Sequence, residues 1–499
     1  MRKTVKRFAA LIAGAVVALS SSMVVCAEEG YTYNFDYWGD IQYSPDAYSV
    51  VGVYTSVELG LDKKLTSPSG LYVHGNFVYL CDTGNNRILE LERTDVDSLE
   101  LVREIDSFHG GTGVNTFANP SDIAVTDDGY MYICDKNNNR ILKLDMDLNF
   151  VMEFVKPLDA NFSQDMSFLP SKLTVDSAGR IYCIATNVNK GLIKYEADGE
   201  FSGFVGATPV TYDWMDYIWK KLATKEQREQ MASFVPTEYD NVYMDHDGFI
   251  YAVTSTVSEA DLDAGTIDSV RRLNLMGKDI LIRNGNWFVI GDIHWGEGGG
   301  YTGPSLMTDV TAFDNDTYAV LDRNRGRIFG YDDQGRLLWG FGGSGNMDGY
   351  FKNPTALDHM GRDLLVLDAQ DCSLTLFTQT DFGKKVFDAI EQFQDGKYEE
   401  SGASWQEVMN MNGNYDLAYI GIGRSLLRQE KYREAMEYFE LKWDADNYSK
   451  AFKQYRKEWV EEHIVVIIII VFAVLCIPLV IGRIKKIKHE IDTADIFKQ

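Results

Sequence analysis

Pro120-Ser121-Asp122-Ile123, followed by Tyr132-Ile133-Cys134-Asp135-Lys136-Asn137-Asn138-Asn139-Arg140-Ile141, is the stretch that decides the fold. A proline-led apolar strand, the tight turn Asp127-Asp128-Gly129, a second strand, a polar bend and a third strand follow one another. The same phrase stands 52 residues earlier, as Pro68-Ser69-Gly70-Leu71 and then Tyr79-Leu80-Cys81-Asp82-Thr83-Gly84-Asn85-Asn86-Arg87-Ile88. Further copies are expected to begin at Pro170, Pro236, Pro304 and Pro354. Short strands repeating every 40 to 50 residues or so mark radially arranged sheets, each needing its neighbours to bury both faces. Six copies predict a six-bladed β-propeller over residues 66–381.

Repeat two reads as four strands, but repeat six runs out after Leu374-Thr375-Leu376-Phe377, where the chain turns helical. Tyr48-Ser49-Val50-Val51-Gly52-Val53-Tyr54-Thr55 is a strand with no repeat of its own, within an N-terminal segment 28–65. It is expected to fill the outer position of blade six, since closing a ring this way removes two exposed sheet edges. The Asp-x-x-Asn-x-Arg-Ile bends resemble those of NHL repeats. That resemblance covers about two thirds of the chain and implies a recognition module. Look-alike six-bladed lactonases of the gluconolactonase type, and a peptide-amidating lyase, make a metal-dependent hydrolase or lyase the alternative.

Up-and-down blades put the first and third turns on one face, and the second bends with the interblade connections on the other. The connections are long, at 106–119, 156–169, 206–235, 285–303 and 340–353, so binding is expected on their face. One holds a helical insert, 212–234, with Trp214 and Trp219 on its apolar side. Another runs Trp287 through Gly291-Asp292-Ile293-His294-Trp295 to Tyr301, aromatic plates among glycines, acids and amides that suit stacking against sugar rings. Trp214, Trp219, Trp287, His294, Trp295 and Tyr301 are therefore the candidate ligand-binding residues. Arg87, Arg140 and Arg327 of the bends join them, although each could instead brace its own hairpin with Asp82, Asp135 or Asp322.

Catalysis has little to stand on. A zinc site needs three converging His, Asp or Glu ligands and an open position. His74, His246 and His359 each sit at the first turn of a repeat, on the tight-turn face of blades one, four and six, too dispersed to share an ion. With no Ser-His-Asp signature, phosphate-cradling glycine loop or Cys-x-x-Cys pair, no catalytic residue, metal ligand or cofactor is assigned. Cys81, Cys134, Cys183 and Cys372 read as core thiols. Three carboxylate or imidazole groups converging in the central channel would favour an enzyme; an apolar or amide-lined channel would favour binding.

The ends suggest a place. Residues 1–27 read as a secretory signal, with Arg2, Lys3, Lys6 and Arg7 before an apolar run and Val25-x-Ala27 for cleavage. Ile464 to Ile481 carries no charge and is long enough to cross a bilayer, giving a transmembrane helix at 463–482 and a tail at 483–499. Arg483, Lys485, Lys486 and Lys488 follow it, so the tail is expected in the cytoplasm and the propeller outside a cell, in composition a bacterial one. A net charge of −26 argues against nucleic acid as a partner. Between propeller and membrane, residues 382–462 echo at 34 residues (Tyr398 and Tyr432, Glu400 and Glu434, Trp405 and Phe439) and resemble tetratricopeptide repeats. The reading is a single-pass, cell-surface scaffold that binds a protein or a glycan. For the protein, the resemblance implies a neighbour such as a sugar-transport complex.

Overall fold

The computed structural model describes residues 32–496, apart from 112, 160–161, 163–166, 187, 189, 207–238, 257–267, 286, 288–289 and 295–302. The chain divides into two compact units, Met1–Ile390 and Glu391–Gln499.

The first unit is a six-bladed propeller. Blade one comprises Gly70–His74, Phe77–Asp82, Arg87–Asp95 and Ser98–Ile105; blade two comprises Pro120–Thr126, Tyr130–Asp135, Arg140–Asp145 and Phe150–Val155. Blade three runs Pro170–Val175, Ile181–Ala185, Leu192–Tyr195 and Phe201–Val205, and blade four shows Asn241–Met244, Ile250–Val253 and Val270–Leu273 among the described residues. Blade five holds Met307–Ala312, Tyr318–Asp322, Arg327–Tyr331 and Leu337–Gly342, and blade six Pro354–Met360, Asp363–Asp368 and Ser373–Gln379. In the bends of blades one and two, Asn86 and Asn139 take φ of 57° and 58°, a left-handed conformation that asparagine tolerates well.

Tyr48–Tyr54 lies antiparallel on Ser373–Gln379, so the N-terminal strand is the outer strand of blade six. Its Tyr48 ring packs 5.0 Å from Trp339 of blade five. Gly330 can only be glycine there, because a Cβ would lie 2.2 Å from the Trp339 ring. The core runs between blades: Leu71, Leu80, Leu89 and Leu91 of blade one pack with Leu365, Leu367, Leu374 and Leu376 of blade six.

One local expectation is corrected. In blades four and five, Tyr239 and Met307 hold the place that Pro120 holds in blade two; Pro236 and Pro304 stand three residues upstream. The structure also adds a hairpin that the repeat pattern does not announce, Thr32–Phe35 with Ile41–Ser44, which extends blade five beyond Leu337–Gly342 to a six-stranded sheet. The five described cysteines are free thiols, and Cys81, Cys134 and Cys183 are buried in the core as expected. The helical insert 212–234 lies outside the described residues.

Helix α1, Asp381–Gln394, begins against the propeller: Phe387 meets Phe313 edge-on at 5.2 Å and Asp388 pairs with Arg362 at 2.7 Å. The second unit continues with α2 (Tyr398–Met411), α3 (Asp416–Arg428), α4 (Tyr432–Leu441) and the long α5 (Ala445–Ile496). Small residues let these helices approach closely, since a Cβ on Gly421 would fall 2.4 Å from the Trp405 ring and one on Gly423 2.6 Å from Phe439. Helix α5 contains one stretch long and apolar enough to cross a membrane.

Candidate functional site

The inner strands line the central channel, and their register defines its walls. Gly70, Asp122, Lys172, Asn241, Asp309 and Ala356 hold equivalent positions in the six blades. Two residues further along stand Tyr72, Ala124, Thr174, Tyr243, Thr311 and Asp358. Leu71, Tyr72, Asp122, Tyr243, Asp309 and Asp358 are among the residues around a cavity of about 150 Å³.

Three carboxylates face this cavity, and each is held by a neighbouring blade. Asp122 Oδ2 accepts from the Leu173 amide at 2.9 Å, Asp309 Oδ2 from Leu357 at 2.7 Å and Asp358 Oδ2 from Val73 at 2.7 Å. The acids therefore pin blade two to three, five to six, and six to one, satisfying amides that would otherwise be buried without partners. Lys172 adds a link across the channel, donating to the Ser69 carbonyl at 3.3 Å and pairing with Asp122 at 3.5 Å.

Burial pushes the carboxyl of Asp309 up to about 7 against the pull of Lys172. Burial likewise raises Asp358 to about 7, with Asp309 repelling it further, and raises Asp122 despite its lysine. For Lys172, burial opposes the charge, but Asp122 and Asp309 outweigh it and hold the ammonium above the ordinary lysine range. Beside Asp358, Thr311 Oγ1 lies 2.6 Å from His359 Nδ1 and 3.2 Å from Asp358 Oδ1. A hydroxyl, an imidazole and a carboxylate this close resemble catalytic machinery. Thr311, however, is completely buried, and the imidazole packs against Phe313 and Tyr243, where burial lowers its pKa to about 4. The trio holds the wall of the channel together.

The described residues do not bring three channel carboxylates within reach of one ion. Their one metal-compatible group is His246, Asp247 and Asp316, at the surface. Arg272 already bridges its acids, at 3.3 Å from Asp247 and 3.5 Å from Asp316. His74 stands apart beside Asp127, and His359 is in the channel wall.

The nine candidate residues part into three sets. Trp287, His294 and Arg327 converge on the N-terminal hairpin. Trp287 Nε1 donates to the Asp36 carbonyl at 3.3 Å, His294 Nε2 lies 2.8 Å from the Gly39 carbonyl, and Arg327 donates to the Tyr33 hydroxyl at 3.0 Å. Arg327 does not brace its own hairpin: it pairs with Asp292, while Asp322 has Arg325 at 3.7 Å. The hairpin supplies a hydroxyl and a cation-π face (Tyr33) on that side, which draws the guanidinium outward. Arg87 and Arg140 do brace their bends. Arg87 Nε meets Asp82 at 2.7 Å and its second nitrogen Glu104 at 2.6 Å; Arg140 Nε meets Asp135 at 2.9 Å. Trp214, Trp219, Trp295 and Tyr301 lie outside the described residues.

Around the hairpin turn, aromatic rings meet water. Trp38 is 67% exposed, Tyr43 50%, Trp287 42% and Tyr37 39%, and Tyr37 and Trp38 touch edge-on at 5.0 Å.

Residues 117–144 match the family model "NHL repeat". One NHL repeat therefore lies in blade two. The matched NHL repeat contains Asp122 of the channel and the Asp135–Arg140 brace. NHL repeat-containing protein 3 of Mus musculus is 29% identical over 148 residues, 28% of this chain and 42% of that protein. The match thus spans less than half of that NHL relative. Among solved structures, virginiamycin B lyase from Staphylococcus aureus is 13% identical, with a TM-score of 0.38, over 64% of this chain and 81% of that one. A gluconolactonase-type protein is 9% identical, with a TM-score of 0.39, over 68% and 94%.

The channel ring and the hairpin patch were the features that sequence reasoning missed. A signal for the first existed: Asp122, Lys172 and Asp309 put charge into strands that are otherwise apolar. Tyr37-Trp38-Gly39 gave no comparable sign, because only the fold brings it to Trp287.

Proposed function

We propose that this protein is a membrane-anchored scaffold that recognises a protein partner through the aromatic surface at the N-terminal hairpin and the interblade connection beside it. One contrast carries the reading. The charged groups of the channel are engaged in joining blades, while Tyr37, Trp38, Tyr43 and Trp287 present aromatic area to solvent on a rigid sheet edge. Aromatic anchors of this kind dominate protein interfaces. The repeats support the same class of work, and the apolar stretch of α5 supports an anchor, with the propeller outside the cell and the basic tail inside. A sugar-transport complex is one partner of the right kind, sharing the membrane.

The test is photocrosslinking in intact cells from a reactive amino acid at Tyr43, with Trp38→Ala and Trp287→Ala as second-site variants. A single adduct that the Tyr43 derivative forms and that the Ala variants lose at least fivefold supports the reading. Saturable binding to a glycan array by the purified protein, with no protein adduct, would replace it by the carbohydrate version. Stoichiometric metal in the purified protein, together with hydrolase or lyase turnover, would replace it by the enzymatic one.

A further inference from the structure

We propose that two copies of this chain associate in parallel through one face of α5, along a seam that begins at Trp459, runs through the membrane and ends at Ile491. The proposal rests on the reading of the apolar stretch as membrane-spanning. From Trp459 onward, steps of alternately four and three residues fall on His463, Val466, Ile470, Ala473, Ile477, Val480, Ile484, Ile487 and Ile491. Such 3.5-residue spacing is the pattern of a two-helix seam, and isoleucine at every second position from Ile470 to Ile491 fits the β-branched core of a parallel pair.

Within the bilayer the pattern would mean little, since every residue there is apolar. Beyond it the pattern is selective. Ile484, Ile487 and Ile491 are 58%, 53% and 57% exposed, and Arg483, Lys485, Lys486, Lys488, Glu490 and Asp492 all fall off the seam. Pro478 is off it as well, so the backbone amide it lacks does not face the partner.

A membrane surface is the other cover for such a stripe, but it requires the helix to break and lie flat. Helix α5 runs unbroken from Ala445 to Ile496, which carries Ile491 about 15 Å past Ile481 at 1.5 Å per residue. A stripe that leaves the bilayer on an unbroken helix can be covered along its whole length by a coaxial helix with the same register. A second copy of this chain has that register by construction of its sequence.

The experiment uses the full-length protein in its native membrane, with Cys372→Ser and Cys476→Ser, which leaves only buried thiols among the described residues, and one added cysteine at Ile484, Ile487 or Ile491 on the seam, or at Lys485 or Lys486 off it. Alkaline extraction is run first, and release of the chain would remove the membrane reading itself. With the chain retained, mild copper-catalysed oxidation should give a dimer band at least fivefold stronger for Ile484→Cys and Ile491→Cys than for Lys485→Cys and Lys486→Cys. Equal bands from both faces, no dimer, or an adduct of another mass overturns the proposal. So does a spin label at Ile487 that reports headgroup depth. Ile484→Asp with Ile491→Asp, combined with the Ile487 cysteine, should lower the dimer yield at least fivefold while the chain stays membrane-bound.

Discussion

Asp309 and Asp358 show how a single side chain can serve the ring at a cost in charge. Both must accept a neighbouring blade's amide and both are buried, Asp309 near the Lys172 ammonium and Asp358 near Asp309. Their folded pKa values of about 7 exceed those of an unfolded aspartate, so the folded state binds protons that the unfolded state has released. Their contribution is fully present below about pH 4 and is lost as pH rises through about 7. Scanning calorimetry between pH 5 and 8 should find the melting temperature falling as pH rises, and Asp309→Asn or Asp358→Asn should flatten that slope. Asp292 is a carboxylate that two arginines share: Arg327 and, at 3.4 Å, the fully buried Arg325. Asp292→Ala removes the carboxylate that both share and leaves the buried Arg325 with Asp322 alone, at 3.7 Å, which should cost about 3–5 kcal/mol in urea unfolding.

At the scale of elements, the hairpin and the closing strand make separable predictions. Gly39 has a φ of +86° and a Cβ there would stand 2.6 Å from the Trp287 ring, so Gly39→Ala strains the turn and displaces the tryptophan. A loss of about 1–3 kcal/mol and a red shift of tryptophan emission are expected, with the rest of the propeller folded. Truncation through Tyr54 removes both the hairpin and the outer strand of blade six. It exposes the edge of Ser373–Gln379 and uncovers Trp339, and should lower the melting temperature by more than about 5 °C. The closing strand could be anticipated because repeat six ended short and Tyr48–Thr55 alternated with no repeat of its own. The hairpin could not, because Thr32–Phe35 and Ile41–Ser44 are four residues each and acquire a buried face only against blade five.

For the whole molecule, the decisive quantity is which side of the membrane the propeller occupies. Protease added to intact cells should degrade the propeller and leave a small fragment that contains the apolar part of α5. Protection of the entire chain would reverse the proposed orientation. The helical unit raises a second whole-molecule question, since α3, α4 and α5 bury only a small core around Ile420, Ala435, Phe439 and Ala451. Short helical arrays of this kind gain stability from neighbours, which a membrane-embedded pair of α5 helices would supply.

The repeating phrase and its spacing were enough to determine the propeller, the number of its blades and the long apolar helix, because burial periodicity and length are local properties of a chain. The braces of Arg87 and Arg140 were legible for the same reason, each partner lying five residues away in its own bend. Tertiary structure alone decided that Arg327 leaves its hairpin for Asp292, that Trp287 and His294 hold the N-terminal turn, and that Asp122, Asp309 and Asp358 join blades around one cavity. Those contacts link residues up to 285 positions apart, as Asp358 and Val73 are. No local pattern encodes which distant amide a carboxylate will meet once the ring has closed.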